Sequence, residues 1–77
     1  MNEYYKTRDL AEASALIVKG KHFIKMERES KICIFVFENK KECEILSNKF
    51  FFGSLSVDAR NYYETITRLK NRIFAKD

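Results

Sequence analysis

The chain contains no proline, no tryptophan, two glycines, two cysteines and one histidine in 77 residues. Without runs of glycine or proline, it offers neither an interdomain linker nor a glycine-rich phosphate-binding loop. The two cysteines, Cys33 and Cys43, have no CxxC spacing and no neighbouring histidine, so neither a disulfide framework nor a zinc site is indicated. We therefore expect reduced thiols, no bound metal and no cofactor.

Long apolar runs are also missing. The longest, residues 32–37, is far below the roughly 20 residues that cross a bilayer, and no segment has the pattern of a signal peptide. These absences predict a cytoplasmic protein without a membrane partner. A chain this short forms a single domain, residues 1–77 with an ordered core at about 4–74, and buries about 60% of its unfolded surface. Such a core leaves little room for an active-site cavity, so we expect no enzymatic activity and no small-molecule substrate.

The apolar residues amount to 45% of the chain, and their spacing predicts an ordered α+β domain. The fold class is a two-stranded antiparallel hairpin packed with three helices, in the order α-β-β-α-α. Thr7 is the expected cap of the first helix. The predicted ranges are residues 8–19 for the first helix, 22–27 and 31–38 for the strands and 40–51 for the second helix, followed by a third helix capped by Ser56 or Asp58.

The hairpin turn is centred on residues 29 and 30, which lack the Asn-Gly chemistry of a two-residue turn, so a four-residue loop is expected. The resulting pairs are Met26 with Cys33, Ile24 with Phe35, and His22 with Phe37. One face carries Ile24, Met26, Cys33, Phe35 and Phe37 and belongs to the core, while the other carries Phe23, Ile32, Ile34 and Val36. The second face is too apolar to be simply solvated, so either a helix or another copy of the chain covers it.

Catalytic chemistry is disfavoured by the same register. His22 lies opposite a residue four positions beyond Cys33, too far for a Cys-His dyad. The acidic residues in the middle of the chain alternate with Lys and Arg, which is typical of a solvated surface rather than of a carboxylate metal site. We predict no catalytic residue and no metal ligand.

The third predicted helix carries most of the net charge of +4. From residue 60 onward five Lys or Arg stand against two acids, whereas residues 1–59 hold ten against nine. Arg and Asn read guanine and adenine edges, and Arg and Lys neutralise phosphates, so this helix is a candidate nucleic-acid-binding element. The candidate residues are Arg60, Asn61, Arg68, Lys70 and Arg72. In the alternative interpretation, Arg60, Glu64 and Arg68 are a solvated surface that is ion-paired at i,i+4 spacing.

Aromatic residues cluster around the connection before this helix and at two tyrosine pairs. The second and third helices, joined around Gly53, have the order of a helix-turn-helix, although the hairpin precedes them instead of following as a wing. We interpret the phenylalanines at 50–52 as core and lid residues rather than as a platform for base stacking. In each of the pairs at 4–5 and 62–63, one tyrosine is expected to face outward, where tyrosine favours interfaces.

Several short motifs carry a resemblance to a known family. They are Tyr5–Ala11, the apolar helix that closes at Gly20, the strand Phe35–Glu38, and Val57–Arg60 followed by Leu69-Lys70. Through them the chain resembles a family of short, uncharacterised bacterial and phage or mobile-element domains. The family has no established activity, so the resemblance gives no catalytic residue to carry over and implies only a small intracellular accessory domain. The phenylalanines at 50–52 are bulkier than the family's usual mix of residues there.

Two functions remain open at this point. The first is nucleic-acid binding through the polar face of residues 60–72. The second is a protein-interaction or self-assembling accessory module, including a homodimer, of a bacterial or mobile-element system. Its candidate interface residues are Phe23, Ile34, Val36 and Tyr63.

Overall fold

The structure, a computed structural model, describes residues 3–75. It is an α+β fold in which a three-stranded antiparallel sheet packs its core face against helices. The elements are β1 (Tyr4–Thr7), α1 (Leu10–Val18), β2 (Phe23–Glu29), β3 (Ile32–Glu38), α2 (Lys40–Phe51) and α3 (Ala59–Phe74). The predicted order α-β-β-α-α is present, with β1 added before α1. Within residues 3–75, none of the helices has both the length and the apolar character needed to span a membrane.

β1 is a strand that the sequence did not indicate: the predicted hairpin is present as β2 and β3, but it belongs to a three-stranded sheet rather than standing alone. β1 pairs antiparallel with β3, placing Tyr5 opposite Phe37, so β3 is central and the strand order is β1-β3-β2. Four residues are too few to show a β pattern by themselves. The strand forms because the hairpin leaves one edge of β3 unpaired, and its backbone donors and acceptors need partners.

The hairpin turn lies one residue later than predicted. Residues 30 and 31 form a two-residue turn, and Ser30 has the positive φ, 57°, that such turns require. Met26 therefore lies opposite Phe35, and its predicted pairing with Cys33 was wrong. Serine occupies a position where Asn or Gly is the usual signal, and for that reason the sequence misplaced the turn.

A β-bulge at Ile24 changes which face the start of β2 presents. Phe23 pairs with Phe37, and the register shift before residue 25 leaves Ile24 as an extra residue. The predicted pairs Ile24 with Phe35 and His22 with Phe37 were therefore also wrong. The ring of Phe23 lies on the core side, 5.4 Å from the ring of Phe37 between centroids, although it was predicted on the opposite face.

The core lies between the sheet and the helices, and α1 is at its centre. Residues 12–16 of α1 are all buried, so neighbouring elements cover much of the circumference of this helix. Each large apolar side chain that is fully buried contributes about 1.5–3 kcal/mol. The core cluster consists of Ala13, Leu16, Phe35, Phe37, Cys43 and Leu69.

Each helix begins with a side-chain cap. Asp9, not Thr7, caps α1, because Thr7 belongs to β1. Asn39 caps α2, and Asp58, one of the two residues predicted for that role, caps α3. Each accepts a hydrogen bond from the amide three residues later, at 3.4 Å and 2.9 Å. The Asp58 cap fixes where α3, the basic helix, starts.

Candidate nucleic-acid interface

α3 is held in one orientation by its inward face. Leu69 is buried in the core, and the Tyr62 hydroxyl donates a hydrogen bond to the Ala11 carbonyl of α1 at 3.2 Å. At the C-terminal end, Arg28 of β2 donates from Nη2 to the Ile73 carbonyl at 2.7 Å. This guanidinium is favourably placed, because the last carbonyls of a helix carry partial negative charge. The opposite surface of α3 therefore faces solvent in a fixed direction.

The five candidate residues of α3 are all exposed, but they lie on different sides of the helix. Arg68 and Arg72 are about one turn apart on one flank, and Asn61 lies on the same flank about two turns before Arg68. Lys70 is two residues from each arginine and therefore projects about 160° away from both around the helix axis. Arg60 points to the solvent side between the two flanks. The predicted polar face is thus two basic flanks rather than a single stripe.

Among the described residues, ion pairing on α3 is found at its beginning. Arg60 Nε lies 3.4 Å from Glu64 Oε2, and the Arg60 side chain is 88% exposed. Exposed pairs of this kind contribute about 0.3–0.5 kcal/mol. Within residues 3–75, no carboxylate lies within 4.0 Å of the charged nitrogens of Arg68, Lys70 or Arg72. The ion-paired surface considered from sequence therefore describes only the first turns of α3.

On the sheet face away from the core, by contrast, two lysines are ion-paired. Lys6 of β1 and Lys25 of β2 both contact Glu27, at 3.5 Å and 3.3 Å. The hydrogen bond from Lys25, and next to it the charges of both lysines, lower the pKa of the Glu27 carboxyl despite partial desolvation. The two flanks of α3 have no comparable carboxylate among the described residues, so positive charge there remains available to an anion.

Further cations lie near the C-terminal end of α3, and sequence reasoning missed them. Arg28 contacts Ile73 as described above, and Arg8 and Lys31 line, with Ile73, a shallow cavity of about 330 Å³. Arg8 precedes α1, Arg28 lies in β2 and Lys31 is in the hairpin turn. Their spacing in the sequence carries no signal, because only the folded chain brings the three segments to the end of α3.

A second cavity, of about 190 Å³, opens between α3, α1 and the start of β2. Arg72 lies at its edge, with its guanidinium carbon 5.7 Å from the centroid of the Phe23 ring, which is a cation–π distance. The bulge at Ile24 makes this contact possible by turning Phe23 to the helix side. The cavity is lined by Ile17, Phe23, Thr65, Arg68, Leu69 and Arg72.

The four candidate interface residues do not share one surface. Val36 is 2% exposed and Ile34 is half-buried, both on the sheet face that carries the Lys-Glu contacts. Phe23 packs against the core on the other side of the sheet, and Tyr63 is 71% exposed on α3. The sequence predicted that a helix or another copy of the chain covers the second sheet face. In the structure, the chain's own long charged side chains cover part of this face around Val36.

Two of the three phenylalanines at 50–52 face solvent. Phe50 is half-buried and contacts Phe51 edge-to-face at 5.1 Å between ring centroids, whereas Phe51 is 61% and Phe52 is 85% exposed. Their interpretation as core and lid residues was wrong for Phe51 and Phe52. The prediction for the tyrosine pairs is confirmed, since Tyr4 and Tyr63 are exposed and their neighbours are half-buried.

A buried carboxylate links β1, α1 and α2. Glu12 is 3% exposed and accepts hydrogen bonds from the hydroxyls of Tyr5 and of Thr7, the latter at 2.6 Å. The Tyr5 oxygen also lies 3.1 Å from Ser47 Oγ of α2. Burial and, next, the hydrogen bond to Glu12 raise the pKa of Tyr5 to about 12. This cluster has a structural role, and sequence reasoning missed it because β1 was not predicted.

The thiols and the histidine lie apart from each other. Cys43 is buried, its Sγ donates to the Glu38 carbonyl at 3.4 Å, and burial raises the pKa of its thiol. His22 Nδ1 lies 2.9 Å from the Glu38 carboxylate, whereas Cys33 pairs with Arg28 at the opposite end of the hairpin. Among residues 3–75, no three or more potential metal-ligating side chains are clustered.

Comparison with known proteins identifies a family but no function. Residues 2–75 match the family model described as a domain of unknown function, DUF5659. Neither the curated proteins nor the solved structures include a significant match to this chain. The function must therefore be argued from the residues themselves.

Proposed function

Because the chain belongs to the DUF5659 family, a domain family of unknown function, we propose a function from its own residues. The protein is a non-enzymatic domain that binds nucleic acid through α3 and the cations near the end of that helix. The observation that carries this proposal is the exposed positive charge of Arg68, Lys70 and Arg72, which has no carboxylate partner within residues 3–75. Phosphates are the natural partners of such charges.

The positions of the cations suggest how the helix would lie. Arg68 and Arg72 on one flank and Lys70 on the other would contact phosphates on both sides of a groove that receives α3. Asn61, near the N-terminal end, is the candidate for a contact with a base, since its amide matches the adenine edge. Arg60 could leave its exposed ion pair with Glu64 to contact a phosphate, because such a surface pair contributes little free energy.

The test is a charge reversal with a matched control. Arg68→Glu with Arg72→Glu removes two phosphate contacts, so the slope of log K against log salt decreases by about 1.8 on duplex and about 1.4 on single strands. Lys41→Glu with Lys49→Glu makes the same charge change on exposed positions of α2 and leaves the slope as in the wild type. Fluorescence anisotropy with labelled duplex and single-stranded DNA and RNA measures both. Unchanged binding of the arginine variant at low salt would refute the proposal.

A protein-interaction or self-assembling module is the second candidate, and exposed aromatic rings favour it. Phe52, Phe74 and Tyr63 are 85%, 75% and 71% exposed, and aromatic side chains are enriched at protein interfaces. Tyr63 and Phe74 lie on the same side of α3, because they are eleven residues and about three turns apart. Light scattering over a range of concentrations tests this candidate. A wild-type dimer that the double substitution Tyr63→Ser with Phe74→Ser converts to a monomer would support it. A wild-type protein that stays monomeric would rule out self-assembly. A bacterial or mobile-element origin and a cytoplasmic location remain predictions.

A further inference from the structure

The cavity between α3, α1 and β2 has an apolar floor that nucleic-acid binding does not explain. Leu69 and Thr65 are each 5% exposed, and Ile17 and Phe23 are half-buried beside them. The volume is about 190 Å³, below the roughly 300–1,000 Å³ of pockets that enclose drug-sized ligands. The cavity therefore has room for one apolar side chain rather than for a whole organic ligand.

The edge of this cavity is cationic. Arg68 and Arg72 are spaced i,i+4 on α3, and both residues line the cavity. The guanidinium carbon of Arg72 lies 5.7 Å from the centroid of the Phe23 ring, and this cation–π contact leaves the guanidinium N–H groups able to donate to an anion. No carboxylate of residues 3–75 lies within 4.0 Å of either guanidinium. A ligand that fills the apolar floor therefore meets two charged donors beside it.

We propose that this cavity binds a peptide segment of a partner protein in which a leucine-like apolar side chain is adjacent to an Asp or Glu. The apolar side chain occupies the floor of Ile17, Phe23 and Leu69. The carboxylate accepts paired hydrogen bonds from Arg68 or Arg72, the geometry in which Arg and carboxylate bind most strongly. Acidic motifs are commonly recognised by arginine clusters, and a side chain seated in a pocket is the usual anchor of such an interface.

The charge of the edge and the size of the floor favour this occupant over others. A nucleic acid uses the arginines but leaves the apolar floor empty. A neutral apolar segment fills the floor but leaves both guanidinium groups without an anion. If α3 also binds nucleic acid as proposed above, the peptide and the nucleic acid compete for the same two arginines. That competition rests on the proposed function, whereas the peptide site does not.

The experiment is a titration of the ¹⁵N-labelled protein, followed by NMR, with three capped tripeptide amides: Glu-Leu-Glu, Gln-Leu-Gln and Glu-Ser-Glu. We expect Glu-Leu-Glu to shift the amide signals of Ile17, Phe23 and Leu69, and to bind roughly tenfold or more tightly than either of the other two. Equal affinity of the three peptides, or shifts confined to other residues, would overturn the proposal. So would the absence of any shift at millimolar peptide.

Variants assign the binding to the two parts of the cavity. Arg72→Gln is expected to weaken Glu-Leu-Glu roughly tenfold, and Lys70→Gln, on the opposite flank, to leave it unchanged. Phe23→Leu keeps the charge of the site and an apolar core residue but removes part of the apolar floor. It is therefore expected to weaken peptide binding without weakening oligonucleotide binding. The comparison of peptide and oligonucleotide binding by Phe23→Leu separates the peptide site from the nucleic-acid site, because either one can be refuted while the other stands.

Three results would show that the cavity binds a different ligand and would overturn the proposal. Concentration-dependent shifts of the Ile17 and Leu69 signals without peptide would assign it to a second copy of the chain. Shifts of the same signals by a single-stranded oligonucleotide would assign the floor to a base. Tighter binding of 4-phenylbutyrate than of Glu-Leu-Glu would assign it to a small carboxylate.

Discussion

Replacing Tyr5 with phenylalanine tests whether the buried carboxylate cluster holds the sheet to the helices. The Tyr5 hydroxyl donates to Glu12, which is 3% exposed, and lies 3.1 Å from Ser47 Oγ. The tyrosine is in β1, the glutamate in α1 and the serine in α2. Tyr5→Phe removes one oxygen and its proton, keeps the ring that packs on the core, and leaves Glu12 with one hydroxyl donor fewer.

The expected cost follows from the charge of the acceptor. A hydrogen bond to a charged group contributes about 1.5–3 kcal/mol, and a buried acceptor that loses its donor pays its desolvation without compensation. We expect the free energy of unfolding to fall by about 2 kcal/mol. For a domain of this size, each kcal/mol corresponds to roughly 4–8 °C, so the melting temperature falls by roughly 8–16 °C.

Urea unfolding followed by circular dichroism measures this change, with Tyr63→Phe as the matched control. Tyr63 is 71% exposed, and loss of its hydroxyl is expected to change stability by no more than about 0.5 kcal/mol. A double-mutant cycle with Glu12→Gln, which removes the charge but keeps an acceptor oxygen, measures the charge-dependent part of the contact, and we expect a coupling energy of about 1 kcal/mol or more. Additive effects of the two substitutions, or a Tyr5→Phe variant as stable as the control, would refute the reasoning.

Three smaller predictions follow from local features of the fold. The pKa of Tyr5 is raised from 10.0 to about 12, so the folded state keeps a proton that the unfolded chain releases above pH 10. The stability that this group contributes below pH 10 is therefore lost as the pH rises toward 12, by about 1–2 kcal/mol after solvent screening of the half-buried ring. Urea unfolding measures this loss as the difference in stability between wild type and Tyr5→Phe, and a difference that does not change with pH would contradict it. Asp58→Ala removes the cap of α3 and is expected to cost about 1 kcal/mol in thermal unfolding, whereas Asp58→Asn costs at most a few tenths, and equal losses would contradict the cap. Ser30→Gly relieves a φ of 57° and is expected to stabilise the hairpin by up to about 1 kcal/mol, while Ser30→Val destabilises it; the opposite order in chemical denaturation would contradict the turn assignment.

The elements that the sequence predicted well are those with local signals. The range of α2 was predicted as 40–51 and is Lys40–Phe51, because its cap at Asn39, its apolar spacing and its ending at a glycine all lie within or beside the helix. The inward stripe of α3 was also recognisable, since Tyr62, Leu69 and Ile73 recur at helical spacing and are buried or half-buried.

The elements that were missed depend on contacts between distant segments. β1 has four residues and forms only because the edge of β3 is available. The bulge at Ile24 moved Phe23 to the core side, a change that alternation of apolar residues cannot anticipate. Phe51 and Phe52 are apolar and were expected inside, yet the helix ends there and turns both rings to solvent.

The candidate site divides in the same way. The sequence by itself determined that α3 is amphipathic and basic, since spacing and charge are properties of a single helix. Only the tertiary structure decided that Lys70 lies apart from Arg68 and Arg72, that Arg8, Arg28 and Lys31 meet the end of this helix, and that Phe23 gives the arginines an apolar floor. The physical reason is that periodicity orients side chains around one axis, whereas the neighbours of that axis are selected by packing of the whole core.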